Sequence, residues 1–332
     1  MRTVPGTTDR KVLSLLALFS ANPLLVLSGA RVARHIGVSR STVWRWVGKL
    51  RELGVDVKGH PRTGYHIEGA ADVLVPTVLK RRLAGTPFSQ RIHHFFSVGS
   101  TNDVAMQLGQ AGEPHGALVV AEYQTAGRGR AGRTWLSEKS SGIHMTVLLR
   151  PAVSPVQAPM LTLVAGLAAR DAVSEASGLN CDIRWPNDLM LNGKKVGGVL
   201  TEMHAEPDRI RFVVIGIGIN VNHTKMPKEI DSIATSLRME TGHLHSRAEL
   251  VVRVLRHLDG YYKLFLSEGG EPLVARFAEV SSYFQGKRVR ITTATECYVG
   301  LTAGLEPSGM LRVLRDDGRT EPVVAGDVHE AL

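Results

Sequence analysis

Residues 127–132 read GRGRAG, and the choice between two readings of them decides the fold. The letters fit G-x-G-x-x-G, and the apolar run ALVVAEYQ (117–124) ahead of them reads as a strand, so a dinucleotide-binding turn is the first candidate. Such a turn needs its third glycine to open a helix, so that pyrophosphate sits on the helix N-terminus. The residues after Gly132 are RTWLSEKSSGIHM, polar and mixed, without helical period. The acid that binds ribose about twenty residues further on is absent, because that region is the apolar strand ahead of Arg150. The Rossmann reading fails. A glycine-rich loop bearing Arg128, Arg130 and Arg133 suits an anion instead: glycine permits close approach, and guanidinium forks grip phosphate bidentately. The loop is expected to be mobile when empty and ordered around a phosphate-bearing ligand, with Trp135 able to cover an aromatic group. On these residues alone, an arginine loop that is only surface is the alternative.

The 332 residues, 43% of them hydrophobic, are enough for two or three globular domains. Cys181 and Cys297 lie far apart with no C-x-x-C pair, which excludes a zinc ribbon or a disulfide framework. The N-terminus has no signal-peptide h-region, and the most apolar later window, 160–169, is too short to span a bilayer. A soluble, cytoplasmic chain without a membrane partner is expected. The net charge of +9 is uneven: residues 1–70 hold 11 Lys or Arg against 4 Asp or Glu, and the rest 29 against 27. That is the footprint of an N-terminal nucleic-acid-binding unit, though a basic solvated face gives the same count.

In DRKVLSLLALFSA the apolar Val12, Leu15, Leu16 and Phe19 recur at helical spacing. A second helix begins behind Ser28 and stops at Gly37, and a third runs from a cap at Ser39 to Gly54. The short turn between them makes a helix-turn-helix. In the third helix Val43, Trp46, Val47 and Leu50 form the inward stripe, which leaves Arg40, Ser41, Thr42, Arg45 and Lys49 for bases and phosphates. VDVKGHPRTGYHI (55–67) then reads as the hairpin of a winged helix, with Lys58, His60 and Arg62 near backbone phosphate. Together these features favour DNA binding over a mere three-helix packing module. Gly48 costs the recognition helix about 1 kcal/mol against alanine, and the sequence leaves open whether it permits close packing or only weakens the helix.

EGAADVLVP (68–76) reads as a linker and PTVLKRRLAG as a short connecting helix. Beyond residue 91 strands and helices alternate. HHFFSV, ALVVAEYQ and HMTVLLRP are strands, STNDVAMQLGQAG a helix capped by Ser100, and PVQAPMLTLVAGLAARDAVSEAS a long apolar helix. DIRW, VGGVLTEMH and RIRFVVIGIGINVN are further strands, with Asn192-Gly193 a hairpin turn, and SRAELVVRVLRHLDGYYKLFL an amphipathic helix. From Gln285 on, four or five short strands predict a small separate β-barrel.

STN (100–102), AEYQTAGRGRAGRTW (121–135), RWPNDL (184–189), GKKVGGVLTE (193–202) and VVIGIGINVN (213–222) stand in this order. The set resembles the catalytic domain of biotin–protein ligases. With the winged helix, the chain from about residue 10 onward resembles the bifunctional type that is also a biotin operon repressor. The resemblance implies an α+β multidomain fold. Its parts are a winged helix-turn-helix over 8–68, a linker and connecting helix over 69–90, a central mixed α/β ligase domain (class II synthetase-like, of the biotin/lipoate kind) over 91–283, and an SH3-like β-barrel over 284–332. It implies an enzyme that joins biotin to ATP with Mg²⁺, giving biotinyl-5′-AMP, and passes biotin to a lysine of a biotin carboxyl carrier protein. As repressor, the adenylate is corepressor, the chain a homodimer, and operator DNA of biotin genes the partner. A ligand-responsive repressor with little turnover and a lipoate-type ligase are the alternatives.

On the same resemblance, Lys195 matches the lysine that contacts both the biotin carboxylate and the α-phosphate, where a compact ammonium offsets two anions that repel. Read alone, it is a turn lysine like Lys194. Arg128, Gly129 and Arg130 match the loop that closes over biotin and the adenylate phosphate, and Arg133 and Trp135 extend it toward the nucleotide. Ser100, Thr101, Asn102 and Gln124 match positions that hydrogen-bond the ureido head of biotin; Ser100 serves equally as a helix cap. Asp188 matches a carboxylate that orients the lysine and accepts a proton from the acceptor amine, while Asn187 and Asn220 fall on the adenylate side. Gly197 and Gly198 let the backbone approach the ligand. Mg²⁺ is expected on the phosphates, so no protein metal ligand is named. Arg184 stands where the family commonly has lysine, and Ala131 where the repressor type often has another basic residue.

Overall fold

A computed structural model of the chain describes residues 10–21, 26–52, 55, 57–60, 63–67, 72–293, 295–323 and 326–331. Helix α1 (Arg10–Ala21) buries Val12, Leu15, Leu16 and Phe19, as their spacing requires. Helix α2 (Gly29–Ile36) opens at Ser28, whose hydroxyl accepts from the Arg31 N–H, and closes at Gly37. Helix α3 (Arg40–Glu52) follows directly, with Ser39 Oγ accepting from the Thr42 N–H at 3.1 Å. Val43, Val47 and Leu50 are buried, whereas Trp46 sits half-buried at the margin of the stripe. Strands β1 (Val57–His60) and β2 (Gly64–Ile67) pair antiparallel as the wing. Arg62 lies outside the described residues, as does the side chain of Lys49.

The stretch after the wing enters two cores at once. Val73 and Val75 pack into the winged-helix core together with Phe96, whereas Leu74 between them belongs to the core of the central sheet. Successive side chains of an extended backbone point opposite ways, so this stretch sews the two units together. Asp72 adds a polar seam. The fully buried Arg247 donates from Nε to Asp72 Oδ2 at 3.0 Å and pairs with Glu122 at 2.8 Å. Glu122 in turn accepts the Leu74 N–H at 2.9 Å and lies 3.1 Å from His94 Nε2. Helix α4 (Pro76–Arg82) then leads into the central domain.

Its sheet comprises β3 (Ile92–Phe95), β4 (Ala117–Ala121), β5 (Gly142–Leu149), β6 (Asp182–Arg184), β7 (Asp188–Leu191), β8 (Lys194–Ala205) and β9 (Ile210–Asn220). The order is β3-β4-β5-β9-β8-β7-β6, antiparallel except where β3 runs beside β4. β4 stops at Ala121, short of the strand expected through Gln124, which keeps one isolated bridge to Val98. β7 covers DLML, too short and apolar to show a period. Asn192 and Gly193 turn β7 into β8 with φ of 48° and 77°, the left-handed pair that this dipeptide accommodates.

Helix α5 (Thr101–Gln110) packs on one face of the sheet. Helices α6 (Ala158–Ser177) and α8 (Arg247–Glu268) pack on the other, with the short α7 (Leu237–Thr241) and α9 (Glu271–Val280) beside them. β9 shows both faces residue by residue. Val213, Ile215, Ile217 and Ile219 join the α6–α8 core, while Phe212 and Val214 pack under α5. Gly216 and Gly218 continue that second face as bare floor.

Strands β10 (Gln285–Thr292), β11 (Cys297–Leu305), β12 (Leu311–Arg315), β13 (Thr320–Val323) and β14 (Asp327–Glu330) form one antiparallel sheet, ordered β13-β12-β11-β10-β14. The strand count meets the expectation for this segment, and the sheet is compatible with an SH3-like barrel. It is not a separate body. Val289, Ile291, Leu311 and Val313 belong to the same apolar cluster as the central sheet, and Trp185 Nε1 donates to the Gly309 carbonyl at 2.9 Å. Among the described residues no helix is long and apolar enough to cross a membrane.

Candidate active site

The glycine floor of β9 shapes the site. A Cβ added at Gly216 would lie 2.2 Å from Asn102 Oδ1, and one at Gly218 would lie 2.7 Å from the Trp135 ring. The two glycines therefore admit, side by side, an amide from the start of α5 and an indole from beyond the arginine loop. A cavity of about 230 Å³ opens over the first, bordered by Ser100, Thr101, Gln124 and Arg128. A second of about 520 Å³ opens over Trp135, walled by Asn220, His223, Met226, Ile230 and Ile233. Lys195 and Arg184 border both.

In the smaller cavity the polar groups fix one another. Gln124 Oε1 accepts from Thr101 N–H at 2.8 Å and Thr101 Oγ1 at 3.1 Å, which leaves the amide nitrogen for a ligand. Asn102 Nδ2 donates to the Leu200 carbonyl at 3.2 Å and to Glu202 Oε2 at 2.7 Å, and its Oδ1 accepts from Thr146 at 2.7 Å. Ser100 is the N-cap residue of α5 yet makes no side-chain cap bond, so its hydroxyl is not taken by the helix. His144 lies 2.8 Å from Ser137 Oγ, which also accepts the Gln124 N–H at 3.1 Å. Burial first, then Arg247 and His223, push the His144 pKa down to about 3, which keeps the ring neutral.

Lys195 stands between the cavities. Its Nζ is 2.5 Å from Asp188 Oδ1 and 5.8 Å from the centre of the Trp135 ring. Its backbone is held on both sides: the N–H donates to the Ile233 carbonyl at 2.8 Å, and its carbonyl accepts from Thr235 at 2.9 Å. Arg184 takes the other oxygen of Asp188 at 2.7 Å. Burial raises the Asp188 pKa, but Lys195 and Arg184 outweigh it and hold the carboxyl below its ordinary value. Asp188 is thus an anchored carboxylate, better suited to orienting Lys195 than to taking a proton. Asn187 donates to the Val199 carbonyl at 2.7 Å and Asn220 to the Thr235 carbonyl at 3.0 Å, so both brace the walls.

The sequence profile of the Biotin/lipoate A/B protein ligase family matches residues 95–220, and that of an HTH domain matches residues 11–66. Bifunctional ligase/repressor BirA of Bacillus subtilis (strain 168) is 35% identical over 306 residues, covering 92% of this chain and 94% of that protein. This chain belongs to the ligase/repressor family. The Escherichia coli (strain K12) protein of the same name is 27% identical over 302 residues, covering 91% and 92% of the two chains. The biotin protein ligase from Aquifex aeolicus, solved in complex with biotin and ATP, gives a TM-score of 0.64 at 29% identity, over 73% of this chain and 100% of that one.

In this family member the arginine loop is held by carboxylates. Arg128 makes paired bonds to Glu202 at 2.9 and 2.8 Å and lies 2.7 Å from Asp103. Arg130, beyond Gly129, reaches Asn187 Oδ1 at 3.4 Å and the Gly326 carbonyl at 3.3 Å. Arg133 borders the smaller cavity, but its guanidinium is taken by Asp327 at 2.5 Å. The structure thus gathers the ligase-site side chains expected from sequence, and Gly198, around the two cavities, whereas Gly197 borders neither and packs beside Leu189. It adds Asp103, Glu202, Thr146, His144 and the 223–234 wall. His144 and Thr146 had a legible signal, two polar residues alternating within an otherwise apolar strand. Among the described residues no three His, Cys, Asp or Glu gather for a metal. Asp103, Glu202 and Asp188 are each paired with a cationic side chain.

Proposed function

We propose that this chain joins biotin to ATP and transfers biotin from biotinyl-5′-AMP to a lysine of a biotin carboxyl carrier protein in the cytoplasm. The observation that carries the reading is Lys195, whose ammonium stands at the border of a polar cavity and an aromatic-walled one. The polar cavity suits a neutral ureido head: the Ser100 hydroxyl and the Gln124 amide nitrogen offer hydrogen bonds to its oxygen. The larger cavity suits the nucleotide, with the Trp135 ring on its border to cover an aromatic base.

Between the two, Lys195 brings positive charge to two anions whose repulsion opposes reaction. A biotin carboxylate oxygen attacks the α-phosphorus, the α–β phosphoanhydride bond breaks, and pyrophosphate leaves. The neutral acceptor amine then attacks the acyl carbon, the acyl C–O bond to the phosphate breaks, AMP leaves, and the amine's proton passes to solvent. Mg²⁺ enters on the phosphates of ATP, as part of the substrate. With the adenylate bound, the chain dimerises and its winged helix binds operator DNA of biotin genes through Arg40, Ser41, Thr42, Arg45, Lys49, Lys58 and Arg62. The test is biotin-dependent ATP–pyrophosphate exchange, followed by mass gain on a carrier domain. Lys195→Ala is expected to lose about 100- to 1000-fold in exchange with an unchanged melting curve. Exchange driven by lipoate instead of biotin, or none at all, overturns the ligase reading.

A further inference from the structure

The recognition helix presents a large side chain that the described residues leave open to solvent. Trp44 is 69% exposed. At 100° per residue, positions 41, 44, 45 and 48 of α3 fall within about 100° of arc, opposite the buried Val43, Val47 and Leu50. That face therefore carries Ser41, Trp44, Arg45 and Gly48. A Cβ added at Gly48 would meet nothing within 4 Å. Close packing inside the chain is thus not the reason for a residue that weakens the helix, and the room beside Trp44 opens outward. Arg34 and Arg40 border one shallow recess between α2 and α3. Among the described residues neither they nor Arg45 pairs with a carboxylate, whereas the arginines of the catalytic loop are engaged.

An open face with bare cations, a wide apolar ring and a gap in its side chains fits a polyanion that also has apolar spots. Duplex DNA has both, because the thymine 5-methyl projects into the major groove among the base edges. Phosphate contacts alone have no use for an indole. We infer that Trp44 is a sequence-reading residue that packs on thymine methyl groups, and that Gly48 lets the α3 backbone close on the base edges beside it. The inference rests on the operator-binding reading above.

The test uses the full chain with biotin and ATP. A duplex is selected by the wild type from a random pool, then remade with deoxyuridine in place of thymine, which deletes only the methyl groups. Wild type is expected to lose about fourfold in affinity per contacted methyl, the effect of burying one such group. Trp44→Ala binds the thymine duplex more weakly, is indifferent to the exchange, and keeps the wild-type salt dependence because the phosphate contacts are intact. Trp44→Phe, which keeps an exposed ring, retains part of the sensitivity. Gly48→Leu raises the melting temperature yet weakens binding to the selected duplex. If wild type ignores the exchange, or Trp44→Ala remains as sensitive as wild type, the role of Trp44 falls while operator binding stands. If no duplex is enriched and all bind alike, operator binding itself falls, and the role of Trp44 with it.

Discussion

Arg128 is engaged before any phosphate arrives. Its guanidinium is shared by Glu202 and Asp103, so an incoming phosphate competes with two carboxylates for one fork. The Arg128 side chain is 40% exposed and that of Glu202 27%, so solvent screens the pair, and holding Arg128 back costs the ligand at most about 1 kcal/mol. Glu202→Gln keeps an acceptor for Asn102 and removes the charge. The variant is expected to lower the KM for ATP in pyrophosphate exchange by up to about fivefold, the equivalent of that 1 kcal/mol, with kcat little changed. A raised KM instead means that Glu202 serves the ligand directly. Lys195, Asp188 and Gln124 were legible only through the family resemblance of the runs that hold them; read alone, Lys195 is a turn lysine. Glu202 closes one of those same runs, yet its partner lies 74 positions away. Ion pairs across strands have no spacing to betray them.

β9 admits two side chains along one strand, and its glycines divide them. Both line the cavity assigned to biotin; Gly216 makes room for Asn102, and Gly218 for Trp135, whose ring also borders the cavity assigned to the nucleotide. A methyl at either position needs its neighbour to move, and Asn102 is tied to Leu200, Glu202 and Thr146. Gly216→Ala is therefore expected to raise the KM for biotin and leave that for ATP nearly unaltered, and Gly218→Ala, which displaces the ring bordering both cavities, to raise both. Exchange kinetics with each substrate varied in turn check this, and equal effects of Gly216→Ala on the two substrates refute it. The sequence showed GIGIN as part of a strand. What the glycines make room for was not legible, since Asn102 and Trp135 arrive from elsewhere in the chain. The segment after the wing was hidden in the same way. Its Val-Leu-Val looks like a tether until two cores claim alternate residues.

At the scale of the molecule, the winged helix and the ligase are joined through that seam and through one buried charge cluster beneath it. Arg247 offers one positive charge to two carboxylates. Burial pushes the Glu122 pKa up, but Arg247, followed by the hydrogen bond from His94, brings it down to about 2 from an ordinary 4.5. Asp72, left with the weaker share, is raised by burial despite Arg247. A carboxyl whose folded pKa lies below its unfolded one adds stability above the unfolded value and loses it as pH falls through the folded one. Glu122 therefore stabilises the chain fully above about pH 4.5, and that contribution fades toward pH 2. Each tenfold change in proton affinity is worth about 1.4 kcal/mol, so the contribution amounts to about 3 kcal/mol. Glu122→Gln keeps the shape and leaves Arg247 short of a counter-charge. It is expected to lower the melting temperature clearly at pH 7, with the gap to wild type narrowing as pH falls below 4.5. Scanning calorimetry of both proteins at pH values spaced across that range measures the gap, and a gap that does not change with pH means that shape, not charge, is what Glu122 contributes to the seam.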